Sequence, residues 1–161
     1  MSARAERLAT DFEKASADLV AAIESSTEQQ WGAVSANGEW TQGYAAYHAA
    51  QSIGGIAAML RRLADGVPPP STMESSWDEI NAMNDVQAKE HAACTKQEAL
   101  DIINRDAPAA AAMTRALTDA ELDRRNPPMM PGQPELTVEQ FAEFVLVGHL
   151  SEHLKSITDA R

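Results

Sequence analysis

A single cysteine, Cys94, stands in a chain of 161 residues, so no disulfide can close within it. That usage fits a reducing compartment, and a cytoplasmic protein is expected. Aromatic residues are scarce, at 5%. With many alanines and no long β-branched runs, the composition favours helices packed closely on small side chains. No apolar run approaches the roughly 20 residues that a bilayer span needs. The first twenty residues, charged and amphipathic, lack the continuous apolar core of a secretory leader. Basic residues are also in short supply: 13 Lys and Arg face 24 Asp and Glu, for a net charge of -11. An acidic surface repels phosphate backbones and anionic headgroups, so neither nucleic acid nor a membrane is expected as a partner. There is no phosphate-binding glycine loop, internal repeat or low-complexity tract. What is present is a hydrophobic fraction of 44%. The length suits one domain, residues 1–161, with a sizeable core.

The chain reads as helices throughout, and the fold class expected is all-α. Leu8, Phe12, Ala15, Leu19, Val20 and Ile23 recur at helical spacing and predict a first helix over 2–25. A connector over 26–40 follows, with a capping box at Thr27 and a turn at Asn37-Gly38. Trp31 and Trp40 flank it and are expected to pin it onto the end of the helices, with substrate stacking as the alternative. Thr41 caps a second helix over 41–64, whose apolar stripe includes Tyr44, His48, Ile56, Met59, Leu60 and Leu63. Gly54-Gly55 inside it would let a neighbouring helix or ligand approach closely, and Gly66 ends it. The segment VPPPSTMESS, 67–76, cannot be helical through Pro68-Pro69-Pro70. A connection this long can cross the end of a bundle instead of turning straight back. A third helix is predicted from Ser76 or Trp77 to about 93, with Trp77, Ile80, Met83, Asn84 and Ala88 on one side. A capping box at Thr95 then opens a stretch over 96–117, which Pro108 should kink or break. Another box at Thr118 marks a short turn. The segment 124–135 holds four prolines and reads as a loop, with Met129 and Met130 as gap fillers. Thr137 and Gln140 box the start of the last helix, 137–157. The sum is four long helices, one of them interrupted.

That last helix carries the sharpest signal. His149 and His153 lie one turn apart, on the stripe of Phe141, Val145 and Ile157. A face that should be buried thus presents two imidazoles, and buried polar groups need partners. Neutral imidazole is the commonest protein ligand for a metal ion, so an ion between them is the pointed answer. His48 on the second helix would complete a face of three ligands from two helices, an arrangement bundles use. Three protein ligands leave open positions, as in a catalytic site. Against this stands the plain alternative of satisfied core histidines. His91, in a polar stretch, reads as exposed or capping. Cys94 reads as a small hydrophobe sooner than a nucleophile. His149-Leu-Ser-Glu-His153 matches the H-x-x-E-H pattern of one metallopeptidase class, in which Glu152 would be the general base. Those peptidases take a third ligand from further along the chain, whereas His48 lies upstream, so that chemistry is disfavoured.

Glu39-Trp40-Thr41 followed by His48, together with Gly148-His149-Leu150-Ser151-Glu152-His153-Leu154, resembles the signature of the DinB-like superfamily. This group includes damage-inducible metal proteins, mycothiol-dependent maleylpyruvate isomerases and bacillithiol transferases. The resemblance implies a four-helix bundle of up-down-down-up course, with a long crossover between the second and third helices where VPPPSTMESS stands. It implies that His48, His149 and His153 bind one divalent metal, zinc or nickel, and that the protein is a homodimer. It also implies a small-molecule substrate and a low-molecular-weight thiol, mycothiol or bacillithiol, whose sulfur can meet the metal. A protein nucleophile is then not required, and none stands out in the sequence. Arg61, Arg62, Arg124 and Arg125 are candidates for substrate contact by charge alone, with a solvated surface as the simpler account. Three readings therefore compete: a metal-dependent thiol transferase or isomerase, a metal- or ligand-binding protein without turnover, and a structural dimeric bundle.

Overall fold

The computed structural model describes residues 2–38, 40–69, 76–129 and 132–160. Glu39, the central part of the crossover (70–75), and Met130 and Pro131 of the proline-rich loop lie outside the described residues. Among the described residues the chain is helical apart from one two-stranded ribbon and an isolated bridge between Val34 and Thr41. Helix α1 spans Ala3–Ser25, α2 Glu28–Gly32, α3 Gln42–Ala64, α4 Trp77–Glu90, α5 Lys96–Arg115 and α6 Asp119–Leu122. The last run is composite: α7, Val138–Phe141, passes into a π-helical segment, Ala142–Val147, and then into α8, Gly148–Thr158. Among the described residues no helix is long and apolar enough to cross a membrane.

The boundaries follow from capping chemistry. Thr27–Gln30, Thr95–Glu98, Thr118–Glu121 and Thr137–Gln140 all form reciprocal capping boxes, as does Ser76–Glu79 at the head of α4. Gly66 takes φ +76 just beyond α3, a conformation that non-glycine residues rarely adopt. The amides of Gly66 and Val67 bond back to the carbonyls of Leu63 and Arg62, which closes the helix end.

Helices α1 and α3 each pack against α5 and α8. Leu8, Phe12, Leu19 and Ile23 of α1, Tyr44, Ile53, Leu60 and Leu63 of α3, and Phe141, Leu146 and Ile157 of the last run form the core. Alanines 45, 46, 49 and 50 of α3 and 99, 110 and 111 of α5 are buried too, so the helices approach over small side chains. Arg4 and Arg7 hold the start of α1 to the last run. Arg4 pairs with Glu139 at 2.5 Å and Asp123 at 2.9 Å, and Arg7 with Glu139 at 3.0 Å and Glu143 at 2.7 Å.

Several expectations change. The third predicted helix stops at Glu90, with His91 as its C-cap, instead of reaching 93. Its expected apolar side meets the core only through partly buried Ala88. No residue of α4 is buried, and Trp77 (61% exposed) and Met83 (55%) face solvent. Pro108 does not break α5, which runs unbroken through it to Arg115, with Pro108 itself exposed. The Gly54-Gly55 pair does not seat a helix. A Cβ on Gly55 would meet nothing within 4 Å, and one on Gly54 only the Asp106 carboxylate in ordinary contact. The glycine that matters is Gly43, where a Cβ would fall 2.5 Å from Nε1 of Trp31. The proline-rich loop is closed at its base by antiparallel strands β1, Arg125–Asn126, and β2, Leu136–Thr137.

Candidate metal centre

Two elements bring the three histidines together. His48 lies two turns into α3, and His149 and His153 lie one turn apart on α8. One ring nitrogen from each can be chosen so that all three lie within 4.8 Å of one another. The ring centroids are 5.3 Å apart for His48–His149, 5.0 Å for His48–His153 and 4.5 Å for His149–His153.

The π segment explains why the second element presents its face as it does. On an α-helix a step of four residues overshoots a full turn by about 40°. The series Phe141, Val145, His149, His153, Ile157 would drift by about 160° over its length, carrying its ends to opposite faces. Both ends are nevertheless buried, Phe141 at 1% and Ile157 at 3% exposure. The wider turns of 142–147 take up the overshoot. The fourfold spacing thus stays in register with the core, and the two histidines face His48.

Burial keeps the imidazoles neutral. His149 is lowered to about 4 and His153 to about 3, first by desolvation and then by the neighbouring histidines; His48 is lowered by desolvation. Nε2 of His149 is buried and has no hydrogen-bond partner among the described residues. Three neutral imidazoles converging on one point, one with a buried unpartnered nitrogen, are compatible with a divalent metal ion. Nε1 of the neighbouring Trp40 is likewise buried without a partner among the described residues, so the polar atoms around the centre are not satisfied by the protein alone.

The aromatic wall beside the triad was only partly foreseen. The Trp40 indole lies 5.0 Å from the His48 ring and stacks at 5.8 Å, 12° from parallel, on His153. Tyr44 lies edge-on to Trp40 at 5.0 Å. The signal was the fourfold spacing Trp40, Tyr44, His48, which continues the α3 stripe outward past its cap. The connector delivers Trp40 there. Ser35 N–H donates to the Trp40 carbonyl at 2.8 Å, and Ala36 N–H donates to the Ser156 carbonyl of α8 at 2.9 Å. Trp31 does pin the connector, through Gly43 and an Nε1–H bond of 2.9 Å to the Cys94 carbonyl. A cavity of about 270 Å³ opens on the outer side of Trp40 and Tyr44, under Asp85, Ala88 and Lys89 of α4. The Tyr44 hydroxyl donates to the Asn84 carbonyl at 3.3 Å and is pushed up to about 12 by burial, so it stays protonated.

The other candidates fall away from this centre. Glu152 is exposed and does not belong to the histidine group. Cys94 is half-buried, its thiol pushed up to about 11 by desolvation, which suits the small-hydrophobe role. His91 caps α4 and packs its ring 4.9 Å from Tyr47, a contact with no sequence signal. Arg61 is engaged by Asp65 and Glu121, each at 2.5 Å, and Arg62 donates to the Pro68 carbonyl. Arg124 and Arg125 are exposed.

The DinB superfamily profile matches residues 11–157, nearly the whole chain. The protein belongs to the DinB superfamily. Neither the curated proteins nor the solved structures offer a match. Membership in the DinB superfamily and the three converging histidines agree on a metal-compatible centre at His48, His149 and His153.

Proposed function

We propose that this DinB superfamily member binds one divalent metal, zinc or nickel, through His48, His149 and His153. We further propose that it is an enzyme acting on a small electrophilic substrate with a low-molecular-weight thiol, mycothiol or bacillithiol, or with water. The observation that carries this is the buried, unpartnered Nε2 of His149 within a group of three neutral imidazoles. When bound, the ion supplies Lewis acidity and lowers the pKa of a thiol or water beside it. The chain's own part is to hold three donors at fixed positions, keep them unprotonated by burial, and shield one side with Trp40 and Tyr44. No protein nucleophile is needed when the nucleophile comes with the cosubstrate. The surrounding architecture in this reading is a four-helix bundle of α1, α3, α5 and α8 in up-down-down-up order. It forms one domain over 1–161 and works as a cytoplasmic homodimer.

The test is incubation of zinc- and nickel-loaded protein with mycothiol or bacillithiol and a neutral aryl halide, following thioether formation. Thiol-dependent turnover lost in His149→Ala is expected. Turnover indifferent to that substitution would remove the triad from the chemistry. A second reading, metal binding without turnover, is favoured by one observation: among the described residues, the group contains three histidines and no carboxylate that could serve as a base.

A further inference from the structure

A second cavity, of about 420 Å³, lies between α4 and the π segment, walled by Trp77, Ile80, Met129, Leu136, Phe144 and Val145. Gln133 is the polar member of its lining, and no charged side chain borders it among the described residues. Its size falls within the range of small-molecule sites. Three features make it more than a gap. Phe144 and Trp77, both about three-fifths exposed, stand at opposite walls, where an isolated protein gains nothing by displaying them. Its helical floor is the π segment, a distortion often found at functional sites. Val145, in that floor, is one turn before His149 on the same helical run. The roof, α4, has no fully buried residue and meets the core through Ala88 and the Tyr44–Asn84 bond, so it is held more lightly than the other long helices.

We propose that this cavity holds the substrate's body, and that the substrate class is an uncharged aromatic or branched aliphatic molecule. The proposal rests on the reading of the triad as a reaction centre. A carboxylate or phosphate placed here would lose its hydration with no cation to receive it, inside a chain of net charge -11. An aromatic ring would instead meet Trp77 and Phe144 at stacking or edge contact and displace poorly held water from apolar walls. Gln133 leaves room for one hydrogen bond to a carbonyl or hydroxyl on an otherwise apolar guest.

The full chain, metal-free and zinc-loaded, is titrated with N-phenyl-1-naphthylamine, a neutral dye that brightens in apolar surroundings. Saturable binding of one dye per chain is expected, weakened at least tenfold by Phe144→Asp on one wall and Ile80→Asp on the other. Phe144 is exposed and Ile80 is half-buried on a helix with no fully buried residue, so both variants should keep the wild-type circular dichroism. In competition, 1-naphthol should displace the dye at least tenfold better than 1-naphthoate. His149→Ala should lose metal and keep dye binding, which separates this cavity from the metal reading. Dye binding without thiol turnover would overturn the proposed chemistry and leave the cavity's preference standing. Unsaturable binding, equal binding in both aspartate variants, or equal displacement by naphthoate would overturn the inference.

Discussion

At the scale of single residues, the protonation of the triad couples to stability with a definite sign. His149 and His153 titrate at about 4 and about 3 in the fold, against 6.5 when solvated. The unfolded chain therefore takes up protons first as pH falls. For the metal-free protein, their contribution is intact above about pH 6.5 and is lost progressively as pH drops towards 3. The urea midpoint of EDTA-treated protein should fall between pH 7 and pH 5, a window above the range where unfolded carboxylates titrate. In His153→Phe that slope should shrink. A midpoint flat across the window in the unsubstituted protein would mean that the imidazoles are solvated. The three histidines were legible because their spacing set them on apolar stripes. The orphaned nitrogen and the stacking of Trp40 on His153 were not, since both depend on how two distant elements meet.

At the scale of elements, capping residues were the most readable feature. Four boxes predicted from Thr-x-x-Glu/Gln formed as read, because each is a contact among four consecutive residues. The π segment was not readable. Its cause is the conflict between a spacing of four and a helical period of 3.6, which only burial of both Phe141 and Ile157 reveals. The two-residue strands escaped notice because they are too short to alternate. Gly54-Gly55 drew attention by composition, yet Gly43 is the position under steric demand. Gly43→Ala should cost about 1–3 kcal/mol, because the new methyl must displace an indole held by the Cys94 carbonyl. In Trp31→Ala the same change should become neutral or favourable, which a double-mutant cycle by thermal unfolding would read. Pro108 offers the opposite case. It sits on the exposed side of an unbroken α5 and removes one backbone bond. Pro108→Ala should raise stability by about 1–3 kcal/mol, after allowing for the added freedom of the unfolded chain. A lower melting temperature would show that the proline is favoured by its surroundings.

At the scale of the whole molecule, two kinds of helix coexist. Helices α1, α3, α5 and α8 share one core, while α4 lies over the Trp40–Tyr44 wall and the apolar cavity with no buried residue. Native-state hydrogen exchange should find the α4 amides the least protected of the long helices, by at least tenfold against α3. Equal protection would mean that α4 is part of the core cooperative unit. In the sequence α4 looks as deeply packed as its neighbours, since Trp77, Ile80 and Met83 read as a core stripe. The exposure of Trp77 and Met83 is a matter of what the rest of the chain leaves uncovered. The central claim is the metal centre, and it is tested most directly by metal content. Elemental mass spectrometry is run on purified protein, His48→Ala and His149→Ala, each after loading with zinc or nickel and desalting. The account predicts near one ion per chain in the unsubstituted protein and loss in both variants. Folded protein that holds no metal after either loading would contradict it and return the three histidines to the core.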